Sequence, residues 1–439
     1  MKTELKTWKN LYGRKGGDMN RKLAALVACT LLLSGCADGS EQIWLSHPRL
    51  SDEDRNDEER RYLGVGDSPS VMLPLTSAQV VESMRVCWNL GNSLDACCSD
   101  LDLDGRVDML PAHGADYDET LYGNPRVSRD LFKALTDSGV NAVRIPVTWR
   151  THTDEYGNID GEWLNRVQQV VDQAYNCGLY VIINVQHDGA ADTRMGAWLR
   201  GAQDVASIAA VGRYRTIWKQ VAKRFANYNE RLIFESMNEV AFDKLNEDRA
   251  YGLYSQLNQE FVNVIRQSGG NNPERHIVIA GYGADIEQTL DSRFVMPDDP
   301  AGRSIVSVHY RTPRAFCVTG SAKEWGSPEE QIEMDGLLAR LYERFCAQGV
   351  PVIISEYGVA DGADEDSAVF FCESLAHGCK ELGMAAFLWD GGELFDRENL
   401  EWRSSALISA LVQATDGAEY IPVKFGETAQ AASSEESQE

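Results

Sequence analysis

Basic residues are scarce in this chain: 42 Lys and Arg stand against 67 Asp and Glu among 439 residues, a formal charge of -25. Binding a polyanion needs clustered cations, so nucleic acid and an anionic membrane surface are disfavoured as partners. Among the 10 Cys no Cys-x-x-Cys pair has zinc-type spacing, so the usual signature of a structural zinc site is missing. No Gly-rich turn of the phosphate-cradling kind follows an early apolar run, which argues against a dinucleotide-binding open sheet. The apolar run from Leu23 to Leu33 is too short to cross a bilayer as a permanent span.

That short run follows Arg14, Lys15, Arg21 and Lys22 and leads into Leu33-Ser34-Gly35-Cys36, the layout of a signal peptide ending in a bacterial lipobox. Residues 1–35 are therefore expected to be a lipoprotein signal peptide, with Met19 a candidate start and Cys36 the acylated residue. The resulting location is the bacterial cell envelope, lipid-anchored at the outer membrane or cell surface, with the membrane touched only through that anchor. Residues 36–76 read as an acidic flexible linker, since Asp52 to Arg61 is nearly all Asp, Glu, Asn and Arg. Residues 425–439 read as a disordered polar tail. Eight Cys remain after the leader, an even number in an oxidising setting; core thiols and loop staples are both open, although Cys372 and Cys379 lie two helical turns apart and cannot bridge directly.

Between linker and tail, short apolar runs alternate with longer amphipathic ones. The runs are Val86 to Leu90, Asn141 to Pro146, Tyr180 to Val185, Leu232 to Met237, Ile277 to Gly281, Ser304 to His309, Val350 to Glu356 and Ala385 to Trp389. Helical periodicity fills Gly161 to Cys177, Arg213 to Ala226, Gly252 to Gln267, Ile332 to Gln348 and Asp366 to Leu382. Eight β–α units predict an α/β fold, a single (β/α)8 TIM barrel over residues 77–424, with the doubly wound open sheet as the alternative.

In a barrel of this kind, polar groups at the C-terminal ends of the strands converge on one face. Here the ends read Trp88-Asn89-Leu90-Gly91-Asn92, Arg144-Ile145-Pro146, Gln186-His187-Asp188, Asn238-Glu239, His309-Tyr310, Glu356-Tyr357-Gly358 and Trp389-Asp390. Glu239 and Glu356 come from the fourth and seventh strands and face each other across the mouth. Two carboxyl groups about 5 Å apart can cleave a glycosidic bond with retention, one protonating the leaving oxygen and the other attacking the anomeric carbon.

Over about residues 77 to 415 these ordered segments resemble glycoside hydrolase family 5, the cellulase family, in its branch of endoglucanases and xyloglucanases. The resemblance implies that Glu239 is the general acid/base and Glu356 the nucleophile. It further implies that Arg144, His187, His309 and Trp389 line the subsite of the attacked sugar, with Asn92, Gln186, Asn238 and Tyr310 as further substrate-binding residues. The expected activity is endo-acting cleavage of β-1,4-linked glucan, meaning cellulose, mixed-linkage glucan or xyloglucan, by a monomer. Mannan cleavage and a catalytically weak glycan-binding lipoprotein are the alternatives.

The chain departs from the family pattern at four places. Gln186-His187 stands for His-His, Val240 for a Pro, Tyr122 for a Trp, and Arg311 for the Tyr of His-x-Tyr. Arg311 is expected to pair with Glu356 if it reaches it. Trp88, Tyr122, Trp149 and Trp198 are candidate sugar platforms. Asp100, Asp102 and Asp104 before Gly105 have calcium-loop spacing, but Pro111 holds the twelfth position where a bidentate Glu is needed; a solvated acidic loop is the expectation, with calcium the alternative and no other cofactor or metal foreseen.

Overall fold

The computed structural model describes residues 69–97, 119–189, 198–203 and 207–416. The leader, Cys36, the linker as far as residue 68, Asp100, Asp102, Asp104 and the polar tail lie outside the described residues.

The described residues form a closed barrel of eight parallel strands in sequential order. Helix α1 (Ser77–Ser83) precedes β1 (Val86–Leu90), and the units then run α2 (Arg129–Asp137), β2 (Val140–Ile145), α3 (Gly161–Asn176), β3 (Tyr180–Ile183), α4 (Ser207–Arg224) and β4 (Leu232–Glu235). They continue with α5 (Glu247–Arg266), β5 (Ile277–Ala280), α6 (Ile286–Leu290), β6 (Ser304–Tyr310), α7 (Arg314–Cys317), α8 (Pro328–Arg344), β7 (Val352–Tyr357), α9 (Glu365–Glu381), β8 (Ala385–Asp390) and α10 (Ser405–Thr415). The apolar runs locate every strand to within two residues at each end. Helix α3 begins where its periodicity does, at Gly161, whereas α4, α5, α8 and α9 begin earlier than theirs, and polar caps open α5 and α8. Asn246 accepts from Arg249 N ahead of α5, and Ser327 with Glu330 forms a capping box at α8.

Side-chain alternation along each strand divides the core in two. Cys87, Ala142, Ile182, Ile233, Val278, Ile305, Ile353, Ala385 and Phe387 point into the barrel and pack with Val80 and Val81 of α1, which closes the floor. Ser77 Oγ sits 2.8 Å from His276 Nδ1, fixing that plug to the residue that leads into β5. The opposite faces of the strands pack on the surrounding helices in a larger apolar layer. Two residues further along the inward row the character changes from apolar to polar, at Asn89, Arg144, Asn184, Glu235 and Ser307, all buried. A floor sealed by apolar side chains therefore supports a polar layer that opens upward.

Two sequence expectations are corrected by this alternation. Tyr310 faces outward, buried against Phe371 of α9 with ring centroids 6.0 Å apart, so it is not in the mouth. Trp88 and Trp149 are likewise fully buried and offer no platform, whereas Tyr122 and Trp198 are half-buried. The seven described Cys are free thiols. Among the described residues no helix is long and apolar enough to cross a membrane.

The helix layer also holds a buried acid. Asp172 of α3 accepts from the Tyr228 hydroxyl, and burial pushes its carboxyl up to about 7 despite that bond. A carboxyl raised on folding favours the protonated form. Its stabilising contribution is complete below the unfolded value near 4 and disappears as pH rises through about 7. Asp172→Asn should therefore flatten the loss of thermal stability between pH 4 and 8 and raise stability at pH 8, on the order of a few kcal/mol. Melting temperatures of both proteins across that range check this; parallel curves would contradict it.

Candidate active site

Arg144 rises from β2 into the centre of the polar layer and is 0% exposed. Its Nε donates to Glu235 Oε2 at 2.6 Å; Nη1 donates to Asn89 Oδ1 at 3.1 Å and Glu356 Oε1 at 2.8 Å; Nη2 donates to Asn238 Oδ1 at 2.9 Å and Gln186 Oε1 at 3.3 Å. One guanidinium thus ties together β1, β3, β4 and β7. Burial alone would pull its pKa down, but the charges of Glu235 and Glu356 outweigh that and hold it above the ordinary value. Glu235 is held from its other side by Ser307 Oγ at 2.8 Å.

Glu356 reaches this hub through an irregularity. The β6–β7 pairing runs Val308 to Ile354 and then His309 to Glu356, so Ser355 is the extra residue of a bulge. The Ser355 carbonyl accepts from Asn89 Nδ2 at 2.9 Å, which fixes the bulge to β1. Gln186 Nε2 adds a second donor to Glu356 Oε1 at 3.2 Å, and Asn184 Nδ2 orients that amide from 2.6 Å. Burial would raise the Glu356 carboxyl, but His309, Arg144, Arg311 and the Gln186 bond together hold it well below the usual carboxylate range. His309 is itself pushed below the ordinary imidazole value, first by burial, with Arg144 adding to it. Near neutral pH the cations facing Glu356 are therefore Arg144 and Arg311.

Glu239 follows β4 on a tightly held turn. The Ser236 carbonyl accepts from Tyr214 Oη at 2.7 Å and Trp218 Nε1 at 3.3 Å, Ser236 Oγ donates to Asn258 Oδ1 at 2.8 Å, and Val240 N donates back to the Asn238 carbonyl at 2.9 Å. Val240, the residue in the Pro position, packs where Gly189 leaves room: a Cβ on Gly189 would lie 2.4 Å from Val240 Cγ2. Glu239 Oε1 is 3.1 Å from His309 Nδ1, and ligand atoms of Glu239, His309 and Glu356 all lie within 4.8 Å of one another. By geometry those three groups could hold a cation. Two guanidinium groups already face the carboxylates, however, and the cluster is better described as a neutralised acid pair.

Arg311 reaches the site by a different contact from the one expected. Its Nη2 donates to Glu239 Oε1 and stands 3.9 Å from Glu356 Oε2, so its partner is Glu239, beyond the end of β4, rather than Glu356 of β7. Trp389 lies partly exposed on Gly91, where a Cβ would come within 2.7 Å of the indole. His187 stands apart from the Arg144 network, with its Nε2 3.7 Å from Asp95 Oδ2. Asn92, at φ 58°, donates through Nδ2 to the Gly391 carbonyl at 3.3 Å and so fastens the β1 loop to the β8 loop. Glu235, Asn89, Asn184 and Ser307 are missing from the sequence-derived set. Their signal was positional: each lies two residues beyond an inward apolar residue of the same strand.

The cellulase (glycosyl hydrolase family 5) profile matches residues 109–393. Endoglucanase A of Paenibacillus barcinonensis is 33% identical over 384 residues, covering 79% of this chain and 92% of that protein. Among solved structures, a broad-specificity endoglucanase from an uncultured bovine rumen ciliate aligns with TM-score 0.70 and 29% identity, covering 78% of this chain and 99% of the other. A Bacteroides ovatus xyloglucanase solved with a XXXG heptasaccharide aligns with TM-score 0.70 and 29% identity, over 80% of this chain and 81% of the other.

Removing Arg144 should cost more than any other single truncation here. Arg144→Ala leaves Glu235 as a buried charge without its cationic partner, which is expected to destabilise the fold by about 3–5 kcal/mol. Denaturant unfolding of the variant checks this; a loss below about 1 kcal/mol would mean that the layer does not depend on the guanidinium.

Proposed function

From the premise that this chain belongs to glycoside hydrolase family 5, the cellulase family, and is a retaining endo-β-1,4-glucanase-type enzyme, we propose that Glu356 is its nucleophile and Glu239 its general acid/base. The observation that carries this is the spacing within 4.8 Å of the Glu239 and Glu356 ligand atoms. Such proximity suits a retaining pair, whose carboxyl groups stand ~5–5.5 Å apart, better than a water-mediated inverting pair, which needs ~6.5–9.5 Å.

In the first step a Glu356 oxygen attacks the anomeric carbon, the glycosidic C–O bond breaks, and Glu239 delivers its proton to the departing oxygen. In the second, Glu239 takes a proton from water, the hydroxide attacks the same carbon, and the ester to Glu356 is released. Glu356 Oε1 is engaged by Arg144 and Gln186 while Oε2 faces His309, which favours Oε2 as the attacking atom. Arg144 and Gln186 keep the nucleophile ionised, so no base is needed to activate it. Asn238, turned by its bond to Arg144, directs its amide at the sugar 2-hydroxyl, and Trp389 supplies a flat face for the ring.

The substrate class is β-1,4-linked glucan. Relatives named as endoglucanases and as a xyloglucan-specific endo-β-1,4-glucanase make both kinds of glucan candidates, and the half-buried Tyr122 and Trp198 are candidate platforms besides Trp389. The leader sequence and Cys36 support display of the enzyme on the bacterial cell envelope through a lipid anchor, acting as a monomer on external polysaccharide.

Reducing-end release by the chain from about residue 40 should appear on at least one of xyloglucan, mixed-linkage β-glucan, carboxymethyl cellulose and glucomannan. Glu356→Ala should lower it by at least ~10^4-fold while affinity for the same glycan persists. Release that survives in the variant removes Glu356 from the nucleophile role. Retained binding without release in the parent protein would favour a glycan-binding role.

A further inference from the structure

Arg144 and Gln186 have parts in the reaction just described, whereas Arg311, which meets the Glu239–Glu356 pair from the other side, has none. Its Nη2 donates to Glu239 Oε1, lies 2.9 Å from His309 Nδ1 and stands 3.9 Å from Glu356 Oε2. Unlike the fully buried Arg144, the Arg311 side chain is 41% exposed, so it is a group of the open cleft and not a brace inside the barrel.

We propose that Arg311 is a positioning residue that holds Glu239 in its carboxylate form, and that the leaving-group sugar must draw Glu239 away from it before protonation. The proposal rests on Glu239 being the acid/base. Double displacement needs that residue protonated in the first step and ionised in the second. A guanidinium on Oε1 stabilises only the second state. Arg311 therefore favours breakdown of the glycosyl-enzyme and slows its formation whenever the leaving oxygen needs a proton.

The surrounding charges support this division of labour. Glu356 from β7 and Glu235 from β4 are negative, Arg144 from β2 lies between them and bonds both, and His309 is held towards its neutral form by burial. Those groups together leave one negative charge near Glu239, and Arg311 is the cation that offsets it. Arg314 adds a like charge to Arg311 and weakens the hold of Arg311 on its own proton. Without Arg311, Glu239 would face net negative charge and would keep its proton to higher pH.

The test is the pH dependence of kcat/KM on a glucan oligosaccharide, whose alkoxide must be protonated, and on a dinitrophenyl β-cellobioside, whose phenolate leaves unaided. In Arg311→Gln the alkaline limb on the oligosaccharide should move up by about 1 pH unit or more, and the limb on the aryl substrate should not move. Arg311→Lys, which keeps the charge, should stay near the parent profile. An oligosaccharide limb that does not move in Arg311→Gln, or one that moves equally on both substrates, overturns the proposal. Glu239→Ala separates the two possible failures. If it loses the oligosaccharide and keeps the aryl substrate while Arg311→Gln shifts nothing, only the role of Arg311 fails. If it keeps the oligosaccharide, the assignment of Glu239 fails.

Discussion

The polar layer of this barrel depends on a single buried cation. Arg144 lies with no exposure between two carboxylates and three amide oxygens, and each of those groups would be costly to bury without it. Desolvating a guanidinium is unfavourable by itself, and the five acceptors offset that cost together. The arrangement also converts stability into chemistry. The bonds that make Arg144 tolerable in the interior are the bonds that keep Glu356 ionised and turn Asn238 toward the cleft. A change that loosens the layer for reasons of folding therefore reaches Glu356 directly.

The floor below makes that layer possible. Inward side chains from all eight strands, together with Val80 and Val81, form a buried apolar cluster across the lower barrel. The charged side chains two residues higher, Arg144 and Glu235, are buried above that cluster, in a medium of low dielectric where hydrogen bonds orient strongly. The bulge at Ser355 then shifts Glu356 into register with His309. Regular alternation would have paired His309 with Ser355 instead.

The strand order and both site carboxylates were legible in the sequence because each lies at the end of an apolar run, where periodicity is strongest. Glu235 was not, although it makes the 2.6 Å bond to Arg144: an acid inside Leu-Ile-Phe-Glu-Ser-Met reads as part of an apolar strand unless its inward parity is followed. Tyr310 was misplaced for the same reason in reverse, since it neighbours His309 in sequence and faces the opposite side of the sheet. Arg311 was legible as a departure from the family pattern. Which acid it meets depends on the path of the chain beyond β6, and no spacing encodes that. Trp88 and Trp149 show that an aromatic near a strand end signals core packing as readily as a sugar platform.

The most direct test of the account is to trap the covalent intermediate. A 2-deoxy-2-fluoro β-cellobioside with an activated leaving group slows release more than attack, so the labelled residue can be located by mass spectrometry of a proteolytic digest. One added glycosyl unit is expected on a peptide containing Glu356, with no label in Glu356→Gln. Label on Glu239, or inactivation without any covalent mass increase, would contradict it.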